Sequence, residues 1–258
     1  MDKDLLFEIN NGVGTIIINR APQRNAISPS AIELFHNYLD EAENNDEVKA
    51  ICITGDGEKA FCSGAELSSA MGKGDEEEKK TFQNYADLLV KISNYPKPTV
   101  ARVNGYCLAG GTGFMLACDI VIARSDAKFG TPEVNVGLFP LMIGALIFRN
   151  VLRKKAMEMI LLGEKLSADE ALNMGMITRV VSPEKLDEEV NSVLLSLTEK
   201  SPIAMRLGKS AFNKASEMSL VDGVKHLSET LSKVVKTDDA REGITAFIEK
   251  RKPSFTGR

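Results

Sequence analysis

Two histidines and four cysteines are all that this chain of 258 residues offers to imidazole or thiol chemistry. His36 and His226 lie in helix-patterned stretches without a serine or cysteine partner, and no G-x-S-x-G occurs, which argues against a nucleophilic triad. Cys52, Cys62, Cys107 and Cys118 show no CxxC spacing and no histidine lies near a cysteine pair, so no metal site is expected; the pattern predicts reduced, buried thiols of a cytosolic protein. No apolar run approaches the ~20 residues of a membrane span. Asp2, Lys3 and Asp4 lead straight into a strand pattern, so no signal peptide is expected and a cytoplasmic location follows. There is no excess of basic charge: the net charge of −4 argues against nucleic acid as a partner. A dinucleotide fingerprint fails at Leu116, where G-x-G-x-x-G needs glycine, and a phosphate loop around Gly208-Lys209-Ser210 fails at Ile203. No internal repeat of 20–50 residues is legible.

What remains is an ordinary mixed composition, 43% apolar, with a clear order of elements. Leu5–Asn10 and Val13–Asn19 alternate as strands around Asn11-Gly12, a hairpin turn. Ser28-Pro29 opens a helix to about Asn44 whose apolar face is Ile32, Leu34, Phe35, Tyr38 and Leu39. Val48–Thr54 reads as a buried strand, residues 55–73 as a loop, and the charge run Asp75–Lys80 as a solvated helix start or a mobile loop, followed by a helix to Asn94 that Pro96 and Pro98 stop. Thr99–Val103 and Ile120–Ala123 are strands flanking a glycine turn. Beyond Pro140 the pattern is helical, apart from a strand at Met176–Val181; Ser167 and Glu170 spell a capping box. Alternation of strands and helices up to about residue 195, then helices, predicts an α/β class.

Three places could carry chemistry. Gly110-Gly111 precedes a helix, and serves either tight helix–strand packing or close approach of a ligand to unpaired N–H groups. Gly64-Ala65 ends an apolar stretch and can turn a second N–H toward the same ligand; two donors from separate segments make an oxyanion hole. Glu133, after Pro132 and between apolar flanks, is either a cap or ion-pair partner, or a carboxyl whose pKa is raised for general acid/base work.

Taken together, Arg24-Asn25-Ala26-Ile27-Ser28, Phe61-Cys62-Ser63-Gly64-Ala65-Glu66-Leu67, Lys97-Pro98-Thr99-Val100, Ala109-Gly110-Gly111, Cys118-Asp119-Ile120-Val121, Phe129-Gly130-Thr131-Pro132-Glu133 and Gly137-Leu138-Phe139-Pro140 resemble the enoyl-CoA hydratase/isomerase, or crotonase, superfamily over essentially the whole chain. The resemblance implies a spiral of β-β-α units over residues 1–195. It implies a helical C-terminal region, 196–258, that drives assembly into a homotrimer or a hexamer of paired trimers. It implies an acyl-CoA thioester as substrate, with CoA part of the substrate and no separate cofactor. Ala65 and Gly110 would hold the thioester oxygen. Arg24, Ala26, Ser63, Gly64, Ala65 and Leu67 would line the CoA, and Phe247 and Lys250 would reach its phosphates or adenine from a neighbouring subunit.

One departure matters. Hydratases of the best-known kind carry two glutamates; the second matches Glu133, but the first matches Gly113. Isomerases that move a double bond from C3 to C2 carry a single glutamate at the Glu133 position, and some hydratases of branched acyl-CoA share the glycine. Hydroxyacyl-CoA hydrolases and dehalogenases resemble the chain less, since each looks for an aspartate in the region where Leu141-Met142-Ile143-Gly144 stands. The expectation is hydration of a 2-enoyl-CoA, with isomerisation as the alternative and non-catalytic acyl-CoA binding as a more distant one.

Overall fold

The computed structural model describes residues 3–66 and 74–258; Leu67, expected at the CoA, lies outside the described residues. Strands β1 (Leu5–Asn10) and β2 (Val13–Ile18) form the hairpin predicted from Asn11-Gly12, whose φ angles of 50° and 80° are the left-handed values that such a turn demands. β2 pairs in parallel with β3 (Ala50–Gly55), and β3 with β5 (Thr99–Val103). β7 (Ile120–Arg124) and β10 (Arg179–Val181) extend the sheet, giving the order β1-β2-β3-β5-β7-β10. β3 is buried along its whole length because both faces are covered. Ile51 and Ile53 enter the main core, while Ala50 and Cys52 pack with Val100 and Ile122 against Leu186, Val190 and Leu194 of the helix α7 (Leu186–Thr198).

A second sheet is built from very short strands: β4 (Ala60–Cys62), β6 (Tyr106–Leu108), β8 (Lys128–Gly130) and β9 (Leu166–Ser167). The stretch 55–73, expected to be loop, therefore contains a fully buried strand. Leu5–Asn10 and Thr99–Val103 stand as expected, while other boundaries shift by up to three residues, Val48–Thr54 becoming Ala50–Gly55 and Met176–Val181 becoming Arg179–Val181. β3 and β4 are followed by α2 (Asp75–Ser93), β5 and β6 by α3 (Gly110–Ala117), and β7 and β8 by α4 (Leu141–Asn150) and α5 (Arg153–Leu162). Each turn thus lays one strand in each sheet and one or two helices outside, a spiral of β-β-α units whose repeat is in the backbone and not in the side chains.

The remaining helices are α1 (Pro29–Asn44), capped by Ser28, α6 (Ala168–Asn173), with both bonds of the Ser167–Glu170 capping box, and the C-terminal α8 (Pro202–Ala215), α9 (Leu220–Val234) and α10 (Asp238–Ile248). Buried Asp239 ties the C-terminal tail down, accepting from the N–H groups of Thr256 and Gly257 and from the Ser201 hydroxyl. Among the described residues no helix is long and apolar enough to cross a membrane.

Candidate active site

The site begins at the loop between β2 and α1. Arg24 and Asn25 both take left-handed backbone angles, with φ of 52° and 56°. Asn25 is fully buried and makes that turn tolerable. Its Nδ2 donates to the carbonyls of Asp56 (3.0 Å) and Ala60 (2.6 Å), and its Oδ1 accepts from the Arg20 N–H (3.1 Å). Arg20 braces the same loop, donating to the Ala26 carbonyl at 2.6 Å and pairing with Glu66 at 3.1 Å.

Onto this loop the chain after β4 is zipped. Ser63 N–H donates to the Arg24 carbonyl, Ile27 N–H to the Gly64 carbonyl, and Glu66 N–H to the Ile27 carbonyl, a parallel bridge pairing Ile27 with Ala65. Arg24, Ala26, Ser63, Gly64 and Ala65 are thereby brought together. In such a bridge Ile27 bonds to the residues on either side of Ala65, so the N–H of Ala65 faces the opposite way. It faces the first turn of α3. A Cβ on Gly110 would lie 3.5 Å from the Ala65 nitrogen, and a Cβ on Gly64 would lie 3.2 Å from the Gly110 nitrogen. Both amides therefore stand where the Gly64-Ala65 turn meets the first turn of α3, with Ala65 exposed and Gly110 half-buried.

Both glycines of the α3 turn are closely packed, a Cβ on Gly110 falling 2.9 Å from Tyr85 Oη, and Gly110 in addition offers an amide. Gly111 is a packing glycine: a Cβ there would fall 2.2 Å from the Cys62 carbonyl oxygen. Gly110, at the first helical position, has an N–H that no turn of the helix can satisfy. Ahead of it Ala109 holds φ 50° and ψ −126°, a conformation that costs an L-residue on the order of 1–3 kcal/mol. The strain is held in place by bonds on both sides. Ala109 N–H and the Thr112 hydroxyl both donate to the Gly130 carbonyl, at 2.9 and 3.0 Å.

Gly130 leads through Thr131 to Glu133, which sits in a 3-10 turn spanning Pro132–Val136. Its Oε2 is buried and has no hydrogen-bond partner among the described residues. Burial pushes its pKa above the ordinary 4.5, against a smaller lowering from its own backbone N–H. The cap and ion-pair readings of Glu133 therefore find no partner for that oxygen. A raised native pKa means that the folded state binds more protons than the unfolded one as pH passes through the carboxylate range, so this group's contribution to stability falls as pH rises. Glu133→Gln removes that charge. Its melting temperature is expected to exceed the wild-type value at neutral pH, and the advantage to vanish as pH falls to about 4, where both forms are neutral. Thermal melts across that range check it, and a variant melting at or below wild type at neutral pH counts against a desolvated carboxylate.

The position expected to lack an acid, Gly113, is fully buried and is not an open gap. A Cβ there would meet Ile143 Cγ2 at 2.5 Å, Tyr85 Oη at 2.9 Å and Leu89 Cδ2 at 3.2 Å. Phe247 stands in the last turn of α10 with 85% of its surface exposed, and Lys250 follows in a left-handed turn; within one chain α10 packs against α8 and the tail. All four cysteines are free and buried; burial pushes Cys62, beside the site, up to about 12, which makes it a poor nucleophile. His36 meets the Asn84 carbonyl at 3.2 Å and takes no part here. Among the described residues no three metal-ligating side chains gather. Sequence reasoning passed over Arg20, Ala109, Tyr85 and Ile143; only Ile143, on an apolar helix after the Pro140 turn, carried a visible hint.

The chain as a whole is similar to known proteins of one family. The family model for enoyl-CoA hydratase/isomerase matches residues 8–258. The short-chain-enoyl-CoA hydratase of Clostridium acetobutylicum is 32% identical over 96% of each chain. The mitochondrial enoyl-CoA hydratase domain-containing protein 3 of Xenopus laevis is 35% identical over 97% of this chain and 85% of its own length. The crystal structure of an enoyl-CoA hydratase from Mycobacterium smegmatis superposes with a TM-score of 0.95 at 32% identity, covering 98% of this chain and 99% of that one.

Proposed function

The chain belongs to the enoyl-CoA hydratase/isomerase family of acyl-CoA enzymes, and on that footing we propose that it adds water to a 2-enoyl-CoA. The observation that carries the reading is the meeting of two unspent amides, from Ala65 and Gly110, with the Glu133 turn tied to the same helix end through Gly130. A thioester oxygen placed between the amides accepts both N–H groups, and the positive end of α3 adds to their effect. Negative charge that develops there during addition is stabilised, and one such donor is worth roughly 3–4 kcal/mol of barrier.

Glu133 then works as base and acid in turn. It takes one proton from water as the oxygen bonds to C3 and the C2–C3 π electrons move toward the thioester, forming the enolate. It returns that proton to C2, so water is added with no net change at the carboxylate. The reading requires no cofactor beyond the CoA of the substrate, and it has CoA lying along the Arg24–Ala26 and Ser63–Ala65 loops. Phe247 and Lys250, exposed at the end of α10, would reach the CoA of a neighbouring subunit in a homotrimer or a pair of trimers. Phe212, Leu220, Val221 and Ile244, apolar and exposed on α8–α10, are suited to such contacts.

A solitary acid also suits isomerisation, taking a proton from C2 of a 3-enoyl-CoA and returning it at C4. One incubation separates the two. With 2-enoyl-CoA and 3-enoyl-CoA supplied in heavy-oxygen water, mass analysis is expected to find the label in a 3-hydroxyacyl product. A shifted double bond with no oxygen gained would replace hydration by isomerisation.

A further inference from the structure

A lone carboxylate holds a water molecule by one hydrogen and leaves the other free to turn. In this protein the face of α3 that would carry a second acid, at Gly113, is instead covered by a phenol. Tyr85 reaches over from α2 with its ring edge-on to Phe114, the centroids 5.3 Å apart, and almost no exposed surface. Its Oη lies 2.9 Å from where a Cβ on Gly110 or on Gly113 would stand, so the oxygen sits above the glycine face of the first turn. Its proton is already committed: Oη donates to the Gly110 carbonyl at 2.7 Å. A phenol whose hydrogen is spent can only accept through what remains. Burial, with smaller contributions from Cys62 and then Glu133, pushes the phenol well above its ordinary pKa, so Tyr85 stays neutral and does not compete for the proton that Glu133 moves.

We propose that the Tyr85 hydroxyl is the second acceptor for the attacking water, in the place of the acid that Gly113 cannot supply. The proposal rests on the hydration reading above. Glu133 Oε2 takes one hydrogen of the water and later delivers it to C2. Tyr85 Oη receives a hydrogen bond from the other hydrogen, which stays on the oxygen as it bonds to C3 and becomes the hydroxyl of the product. No proton passes through the phenol. Tyr85 thus fixes the direction of the oxygen lone pair toward C3, and hydration needs it while polarisation of the thioester does not.

The test pairs those two readouts in Tyr85→Phe, which keeps the ring and removes the oxygen. Hydration of crotonyl-CoA is expected to lose about tenfold in kcat with KM little changed, the loss that one hydrogen bond in the transition state amounts to. The red shift of bound 4-dimethylaminocinnamoyl-CoA, which reports the pull of the two amides on the carbonyl, is expected to stay as in wild type. An unchanged kcat overturns the proposal. So does a red shift that fades in step with kcat, since Tyr85 would then act only by holding the Gly110 turn. A wild-type enzyme that polarises the dye but hydrates nothing sinks the hydration reading itself, and is told apart because it fails before any substitution. Should Tyr85→Phe not fold, 3-fluorotyrosine at position 85 keeps the shape and the donor and weakens the acceptor. A several-fold fall in hydration with the red shift intact is then expected, and an unaltered rate overturns the proposal.

Discussion

Glu133→Gln is expected to lower crotonyl-CoA turnover by about 10²–10⁴-fold, the range for loss of a positioned general acid/base, with little change in the Kd of a saturated acyl-CoA. The amide is nearly the shape of the carboxyl, so the 3-10 turn and its tie to α3 through Gly130 are left alone. The amides of Ala65 and Gly110 still meet the thioester, and binding persists. What disappears is the capacity to take a proton from water and give it to C2. The buried Oε2 makes this a demanding substitution: no other carboxylate of the described residues stands on that turn, and bulk water must replace a group held in place. Turnover near the wild-type level, measured with binding by calorimetry, would remove Glu133 from the mechanism. Together with the raised melting temperature expected of the same variant at neutral pH, a fall in rate would identify a carboxylate that is kept for chemistry at a cost in stability.

How much of this was legible in sequence depended on how local each cause is. The Asn11-Gly12 hairpin, the Ser28 cap and the Ser167–Glu170 box are set by residues within a few positions of one another, and each stands where the pattern places it. The second sheet was invisible to periodicity. Its strands are two or three residues long, too short to alternate, and they exist because successive turns of the spiral stack β4 on β6 and β6 on β8. That architecture came from family resemblance instead. Within the site, glycines at 64 and 110 and a carboxyl between apolar flanks were visible because their residue types are unusual where they stand. The strain at Ala109 carried no signal of its own, since nothing in an alanine marks a positive φ and its strain is maintained by Gly130 and Thr112 from elsewhere in the fold. Tyr85 falls on the buried stripe of α2 with Leu88, Leu89 and Ile92, and in sequence it is indistinguishable from another core residue.

Gly113→Glu is expected to unfold or strongly destabilise the protein and to bring no gain in hydration, although it would restore the pair of glutamates seen in the best-known hydratases. Sequence alone suggests vacant space at a glycine. Here the space is filled from α4 and α2: any Cβ would lie 2.5 Å from Ile143 Cγ2, a methyl on a β-branched side chain that cannot swing aside without moving its own helix. It would also press at 2.9 Å on Tyr85 Oη, which is held by its bond to Gly110. Overpacking of this kind typically costs about 1–3 kcal/mol before any carboxyl is added, and burying a carboxyl beside Tyr85, whose proton is already given to the Gly110 carbonyl, adds more. Helix propensity works the other way but returns only ~1 kcal/mol relative to glycine. If Ile143 is the obstacle, Gly113→Glu with Ile143→Ala should recover part of the lost stability, a coupling that separate substitutions at distant sites would not show. Urea melts of the two single variants and the double variant measure it. A Gly113→Glu protein with wild-type stability and faster hydration would mean that the pocket opens readily at this wall. In that event neither Ile143 nor Tyr85 holds the place assigned to it.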